Sequence, residues 1–307
     1  MKILTSPSSF GKISKKPFDI LINNGFEFIN NPYGRKLTTD ETIELANGCD
    51  GIIAGVETYD RSVLDKLPFL KCISRVGVGL DSIDLNYAKI RSINVVNTPY
   101  GPTQSVAEFT LALTFSLLKN IPNADHDMKN NVWRKVNGNL ILEKKIGIIG
   151  LGKIGKLTAK MFSSLGLDVY AYDLYPDKEW MNENNVKSLT FKELLKNSDI
   201  VCIHIPGSSN NSLITRNELL IMKEDSILIN VSRGGVVDEN DLYEFLKHNK
   251  IKGAAIDVFS EEPYKGKFSE LNNVILTPHI GSYSVEGKVQ MEIDATKNLI
   301  NYFKANK

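Results

Sequence analysis

The chain has 307 residues, 42% of them hydrophobic and 24% charged, a length that allows two ordinary domains, each burying its own core. Its 37 Lys and Arg nearly balance 36 Asp and Glu, so no global field favours nucleic acid or an anionic membrane. No segment approaches the roughly 18 consecutive apolar residues of a membrane span, and the opening MKILTSPSSFG is too short an apolar run for a signal peptide; a soluble cytoplasmic protein is expected.

In chain order, short runs rich in Val and Ile predict strands at 2–6, 26–29, 51–55, 71–76 and 93–98, with helical patterns between them. The segment Asn97-Thr98-Pro99-Tyr100-Gly101-Pro102 then breaks the pattern. A helix follows at about 105–119. Its apolar residues, Val106, Phe109, Leu113 and Leu117 on one stripe and Leu111, Phe115 and Leu118 on another, predict burial on several sides. Further strands are expected at 145–150, 168–173, 199–206, 226–232, 253–259 and 273–278, before a last helix at about 284–303. Unalternating apolar strands separated by helices mean parallel sheets covered on both faces. Five strands and then six predict an α/β chain with two doubly wound sheets. Cys49, Cys72 and Cys202 lie far apart in or beside apolar runs and read as buried, reduced thiols rather than metal ligands.

The sharpest motif is Lys145-Ile-Gly-Ile-Ile-Gly150-Leu-Gly152-Lys153-Ile154-Gly155, a strand running into GxGxxG and a helix. A second strand, from Val169, ends in Asp173 about 20 residues on. Gly150 permits the tight turn, Gly152 lets backbone approach a pyrophosphate, and Gly155 lets helix and strand pack closely. The new helix offers N–H groups and a positive dipole end to phosphate oxygens. Asp173 can accept both ribose hydroxyls and would repel a 2′-phosphate, which predicts NAD rather than NADP.

Three later segments end strands with reactive side chains: Asn230-Val-Ser232-Arg233-Gly-Gly, Asp257-Val-Phe-Ser-Glu-Glu262-Pro, and Leu276-Thr-Pro-His279-Ile-Gly281-Ser. Carboxyl ends of strands in a doubly wound sheet face the ligand crevice, so Arg233, Glu262 and His279 could converge beside a bound nicotinamide. His126 and His248 lie in polar helical contexts and read as surface. His204, in Cys202-Ile-His-Ile-Pro206, reads equally as cofactor lining or packing, and Trp133 and Trp180 belong to no motif.

Together with Arg75-Val-Gly77-Val78-Gly79-Leu-Asp-Ser-Ile-Asp84, Asn97-Thr-Pro and Ser105-Val-Ala-Glu108, these segments closely resemble the D-isomer-specific 2-hydroxyacid dehydrogenases, most strongly the phosphoglycerate dehydrogenase branch. The resemblance covers nearly the whole chain. It implies a discontinuous, flavodoxin-like substrate domain (1–99 plus 281–307) around a Rossmann NAD domain (100–280), with the active site in the cleft. It further implies a homodimer built largely through the NAD domains, with the helix near Ser105 contributing.

By that resemblance His279 is the acid/base, Glu262 its partner and Arg233 the substrate anchor. Gly77, Val78 and Gly79 are a second cradle for the substrate carboxylate. Cofactor contacts are implied for Gly150, Gly152, Lys153, Ile154, Gly155 and Asp173, and for His204, Pro206, Ser232, Asp257 and Gly281. The reaction implied is hydride transfer between NAD(H) and a small D-2-hydroxy or 2-keto acid, 3-phosphoglycerate being one candidate. An NAD-sensing protein of the corepressor kind is the alternative on the same scaffold. Two stretches depart from the pattern. Gly207-Ser-Ser-Asn-Asn replaces a commoner threonine-rich segment. Glu57, in Gly55-Val56-Glu57-Thr58, stands near where phosphoglycerate dehydrogenases carry a phosphate-reaching arginine.

Overall fold

The computed structural model describes residues 1–207 and 211–306. The chain divides into two compact units, Met1–Pro102 with Tyr283–Lys307, and Thr103–Ser282.

The first unit holds a parallel sheet of β1 (Lys2–Thr5), β2 (Glu27–Asn30), β3 (Gly51–Ala54), β4 (Cys72–Arg75) and β5 (Asn94–Val96), in the order β2-β1-β3-β4-β5. All four residues of β3 are buried, as an unalternating Gly-Ile-Ile-Ala run requires when both faces are covered. One face is closed by the final helix, Val285–Ala305, whose Ala295, Leu299, Ile300 and Phe303 pack with Ile3, Phe10, Leu21, Ile53 and Cys72. Fully burying a Leu or Phe side chain contributes about 1.5–3 kcal/mol. Ser284 starts that helix, its hydroxyl accepting from Gly287 N at 3.0 Å. The other face packs Leu4, Ile52 and Ile73 against Tyr59, Leu64 and Ala88.

The second unit holds β6 (Ile146–Ile149), β7 (Val169–Tyr172), β8 (Val186–Ser188), β9 (Ile200–Ile203), β10 (Ile227–Asn230), β11 (Gly253–Ile256) and β12 (Val274–Leu276). They form one parallel sheet ordered β12-β11-β10-β9-β6-β7-β8. From β6 the chain moves outward through β7 and β8, then returns to lay β9 on β6's other side. Their carboxyl ends form the topological switch point of a doubly wound sheet, where ligands bind. This sheet has seven strands, one more than the apolar runs suggest. β8 is a three-residue edge strand with only Val186 buried, so it carries no run to detect. The helix Thr103–Leu118 packs by Val106, Leu113 and Leu118 against the strand residues Ile146, Ile148 and Ala255. All three cysteines are free and buried; burial pushes the Cys72 thiol up to about 11 and raises Cys202 further. No helix of the described residues is long and apolar enough to cross a membrane.

Candidate active site on the second unit

The glycine loop sits at the switch point, and each glycine there answers a different demand. Gly150 has φ +94°, a conformation L side chains rarely adopt, and a Cβ on it would lie 2.6 Å from the His204 carbonyl. A Cβ on Gly155 would lie 1.9 Å from Gly150 O, so the helix Lys153–Ser164 can approach β6 only without a side chain at that position. Gly152 differs: nothing in the chain lies within 4 Å of the position its Cβ would take. It caps the helix without a side-chain bond, so the first-turn N–H groups have no acceptor from the cap. The open space therefore suits a pyrophosphate lying against the backbone. Lys153 and Ile154 occupy the first helical turn.

Asp173, just beyond β7, ties this loop down. Its Oδ2 accepts from Leu151 N at 2.6 Å and its Oδ1 from Tyr175 N at 2.8 Å. Each carboxylate oxygen keeps further lone-pair capacity for ribose hydroxyls. At the end of β9, His204 N donates to Ile149 O at 2.8 Å. Its Nε2 is sealed from solvent with no hydrogen-bond partner among the described residues, and burial pushes the imidazole down to about 4. Pro206 and Gly207 are exposed beside it. Residues 208–210 of the Gly207-Ser-Ser-Asn-Asn departure lie outside the described residues.

Arg233, Glu262 and His279 follow β10, β11 and β12, three neighbouring strands. His279 Nδ1 lies 2.9 Å from Glu262 Oε2 and 3.2 Å from Oε1. A carboxylate can only accept, so Nδ1 carries the proton and Nε2 is left to face a reactant. Glu262 is itself oriented, its Oε1 accepting from Phe259 N at 3.1 Å. Arg233 is partly exposed; its Nη1 donates to Ser232 O at 2.8 Å. Gly207 leaves room for the Arg233 stem, since a Cβ there would be 3.2 Å from Arg233 Cγ. The β10 and β11 loops are pressed together: a Cβ on Gly234 would lie 1.9 Å from Phe259 O, and Ser260 N donates to Glu239 at 2.6 Å. Ser232 is 7% exposed and bound to Asn230 Oδ1 through both its N–H and its hydroxyl.

Asp257 is 1% exposed. Its Oδ1 accepts from the Thr277 hydroxyl at 2.6 Å and Ile280 N at 2.9 Å, and its Oδ2 from Gly281 N at 2.8 Å. His279 N in turn donates to Asp257 O at 2.9 Å. The turn so held carries His279 at φ +54°, in the left-handed region. From outside, the Ser105 hydroxyl donates to Gly281 O at 2.8 Å. Thr277 and Ser105 were not among the expected site residues, because nothing in the sequence marks a hydroxyl whose partner is a turn 20 or 176 residues away.

In the first unit, the expected carboxylate cradle follows β4. Gly77 N already donates to the Thr98 hydroxyl at 2.8 Å, whereas Val78 N and Gly79 N have no acceptor among the described residues. Glu57 lies beyond β3 and is 2% exposed, turned inward onto Ser6. His126 is exposed on a helix and His248 is exposed just past the end of another, bonded to Glu244 O at 2.8 Å. No group of three or more potential metal ligands occurs among the described residues.

A glycine turn at a switch point, with an acidic residue closing the second strand, defines a nucleotide-binding α/β unit. Residues 111–281 match the NAD-binding domain of the D-isomer specific 2-hydroxyacid dehydrogenases, and the chain belongs to that family. It is 34% identical over 310 residues to a D-3-phosphoglycerate dehydrogenase of Archaeoglobus fulgidus, an alignment covering 99% of this chain and 58% of the relative's length. It is 34% identical to a glyoxylate reductase of Thermococcus litoralis, covering 92% of this chain and 91% of that one. Its fold is similar to that of a Thermus thermophilus protein of known structure, with TM-score 0.89, 30% identity, and coverage of 99% and 97%.

Proposed function

We propose that this chain is an NAD-dependent dehydrogenase that interconverts a small D-2-hydroxy acid and its 2-keto acid, with Arg233, Glu262 and His279 at the reaction centre. The observation that carries the reading is the His279–Glu262 pair at 2.9 Å, beyond a strand of the sheet that bears the glycine loop. NAD(H), when bound, supplies or accepts the hydride. Gly150, Gly152, Gly155 and the first turn at Lys153 and Ile154 hold its pyrophosphate, and Asp173 accepts from its adenosine ribose. His204, Pro206, Ser232 and Gly281 complete the contacts assigned to it.

In the reducing direction the His279 imidazolium gives the Nε2 proton to the carbonyl oxygen as the alkoxide develops. In oxidation, neutral Nε2 takes the hydroxyl proton. Glu262 keeps the ring oriented and stabilises the imidazolium, the role a carboxylate plays behind any catalytic histidine. Arg233 presents a planar fork of donors that holds the substrate carboxylate bidentately. Within the first unit, Gly77 to Gly79 are the carboxylate cradle that the family resemblance implies, with Val78 N and Gly79 N as its donors.

A cytoplasmic homodimer belongs to this reading. Support for the dimer is the apolar stretch after the helix Ile121–Lys129, where Trp133 is 77%, Leu140 67% and Leu142 63% exposed. Three free cysteines fit a reducing compartment. His279→Ala is the test: NADH oxidation against a panel of 2-keto acids falls by at least about 10²-fold, the contribution of a positioned general acid, while NADH affinity stays within threefold. Near-normal turnover in that variant sinks the assignment.

A further inference from the structure

Glu262 belongs to a loop, residues 259–268, that leaves the sheet after β11 and returns to the core at Phe268. Its side chain is 39% exposed. Main-chain bonding does little to hold it in place: none of the N–H groups of Glu261, Glu262, Tyr264 and Lys265 donates to an acceptor among the described residues. A carboxylate on so loosely bonded a segment would ordinarily wander, and a displacement of about 1 Å can cost a reaction roughly 10²-fold.

One ring braces the loop from within. Tyr264 is stacked on Phe259, with centroids 4.1 Å apart and planes at 21°, and on Phe268 at 5.8 Å and 29°. These phenylalanines begin and end the loop, and at 7% and 1% exposure both are rooted in the core. The Tyr264 hydroxyl accepts from Phe268 N at 3.1 Å. Gly266 leaves the ring its room, since a Cβ there would lie 2.3 Å from the Tyr264 oxygen and 2.5 Å from Cζ. Two short links carry this placement to Glu262. Phe259, one stacking partner, donates its N–H to Glu262 Oε1 at 3.1 Å. On the other side only Pro263, whose ring locks its own φ, separates Tyr264 from Glu262.

We propose that Tyr264 is a positioning residue for the reaction: packed on Phe259 and Phe268, it holds Glu262 where that carboxylate keeps the His279 ring oriented. The inference rests on the dehydrogenase reading. Tyr264 acts through Glu262 and carries no proton or hydride itself. Its ring does the holding, and its hydroxyl serves the fold by satisfying Phe268 N.

The test measures kcat for NADH oxidation at saturating hydroxypyruvate or glyoxylate, whichever turns over faster, with NADH Kd by fluorescence titration and a thermal melt of each variant. Tyr264→Ala removes the ring and should lower kcat at least tenfold with NADH Kd within threefold. Tyr264→Phe keeps both stacks and loses only the hydroxyl, so kcat should stay within threefold of the unaltered enzyme whatever the melt does. Gly266→Ala displaces the ring without removing it, should reproduce the kcat loss, and decides the matter if Tyr264→Ala does not fold. Residues that act through one another are not additive, so Tyr264→Ala added to Glu262→Gln should cost less than threefold beyond Glu262→Gln alone. A normal kcat in the ring-removing or ring-displacing variant overturns the inference. So does a loss in Tyr264→Phe equal to that of alanine, or a full additional loss in the double variant. Those failures leave the dehydrogenase reading standing while Glu262→Gln and His279→Ala are impaired. Normal turnover in Glu262→Gln instead removes Glu262 from the reaction, and this inference with it.

Discussion

Asp257→Asn separates two roles for a residue whose carboxylate is hydrogen-bonded to neither the His279 ring nor Glu262. The carboxylate accepts three hydrogen bonds, from the Thr277 hydroxyl, Ile280 N and Gly281 N, at 1% exposure. An asparagine can keep its oxygen toward Thr277 and Ile280, but its NH2 then faces Gly281 N, donor against donor. Losing one charge-assisted bond and leaving a buried donor unsatisfied costs about 2–4 kcal/mol together. Holding a non-glycine residue such as His279 at positive φ costs about 1–3 kcal/mol, so the weakened anchor no longer holds the turn in one geometry. Carried into the transition state, 2–4 kcal/mol is roughly a 30- to 1000-fold loss of kcat. The assay pairs steady-state NADH oxidation at saturating 2-keto acid with fluorescence titration of NADH. The expected pattern is a kcat loss in that range with NADH Kd within threefold. A tenfold weaker Kd with kcat intact refutes turn-anchoring and returns Asp257 to the direct cofactor contact that the family resemblance implies.

Two further substitutions divide the glycine motif by mechanism. Gly152→Ala meets nothing within 4 Å and should leave the melting temperature unchanged while weakening NADH binding at least tenfold. Gly155→Ala drives a methyl to 1.9 Å from Gly150 O and should destabilise the protein by about 1–3 kcal/mol, visible as a lower melting temperature; the reverse pattern would falsify both assignments. His204 gives a pH dependence. Burial lowers its folded pKa to about 4, so as pH falls below its unfolded value near 6.5 the unfolded chain takes up the proton first. The stability is therefore complete above pH ~6.5 and lost progressively toward pH ~4, by up to about 3 kcal/mol. Chemical denaturation at several pH values should show a steeper loss for the unaltered protein than for His204→Gln, and equal slopes would contradict the burial argument.

Much of the fold was legible because buried parallel strands write themselves as runs of Val and Ile, as in Gly51–Ala54, Ile146–Ile149 and Ile227–Asn230. β8 was not, because an edge strand with a single buried side chain carries no such signal. The glycine motif was readable since each glycine meets a local constraint within one strand–turn–helix unit. The pairing of His279 with Glu262 was a matter of resemblance, and the distance between them comes only from the fold. Glu57 shows the remaining limit. Sequence gives a charge at the end of a strand but not its direction, and that direction is set by Ser6, 51 residues earlier.

The final helix Val285–Ala305 closes one face of a sheet whose five strands end at Val96. On the ribosome, Ile3, Ile53 and Cys72 therefore wait bare for the whole intervening unit to be made, on the order of ten seconds or more at ordinary synthesis rates. The second unit contains all its own strands and can close while the first still lacks a wall. Vectorial synthesis thus gives the nucleotide-binding half a head start and leaves the N-terminal half as the segment in need of shelter. A stop codon shortly before residue 285 would strike the beginning of the chain rather than its end.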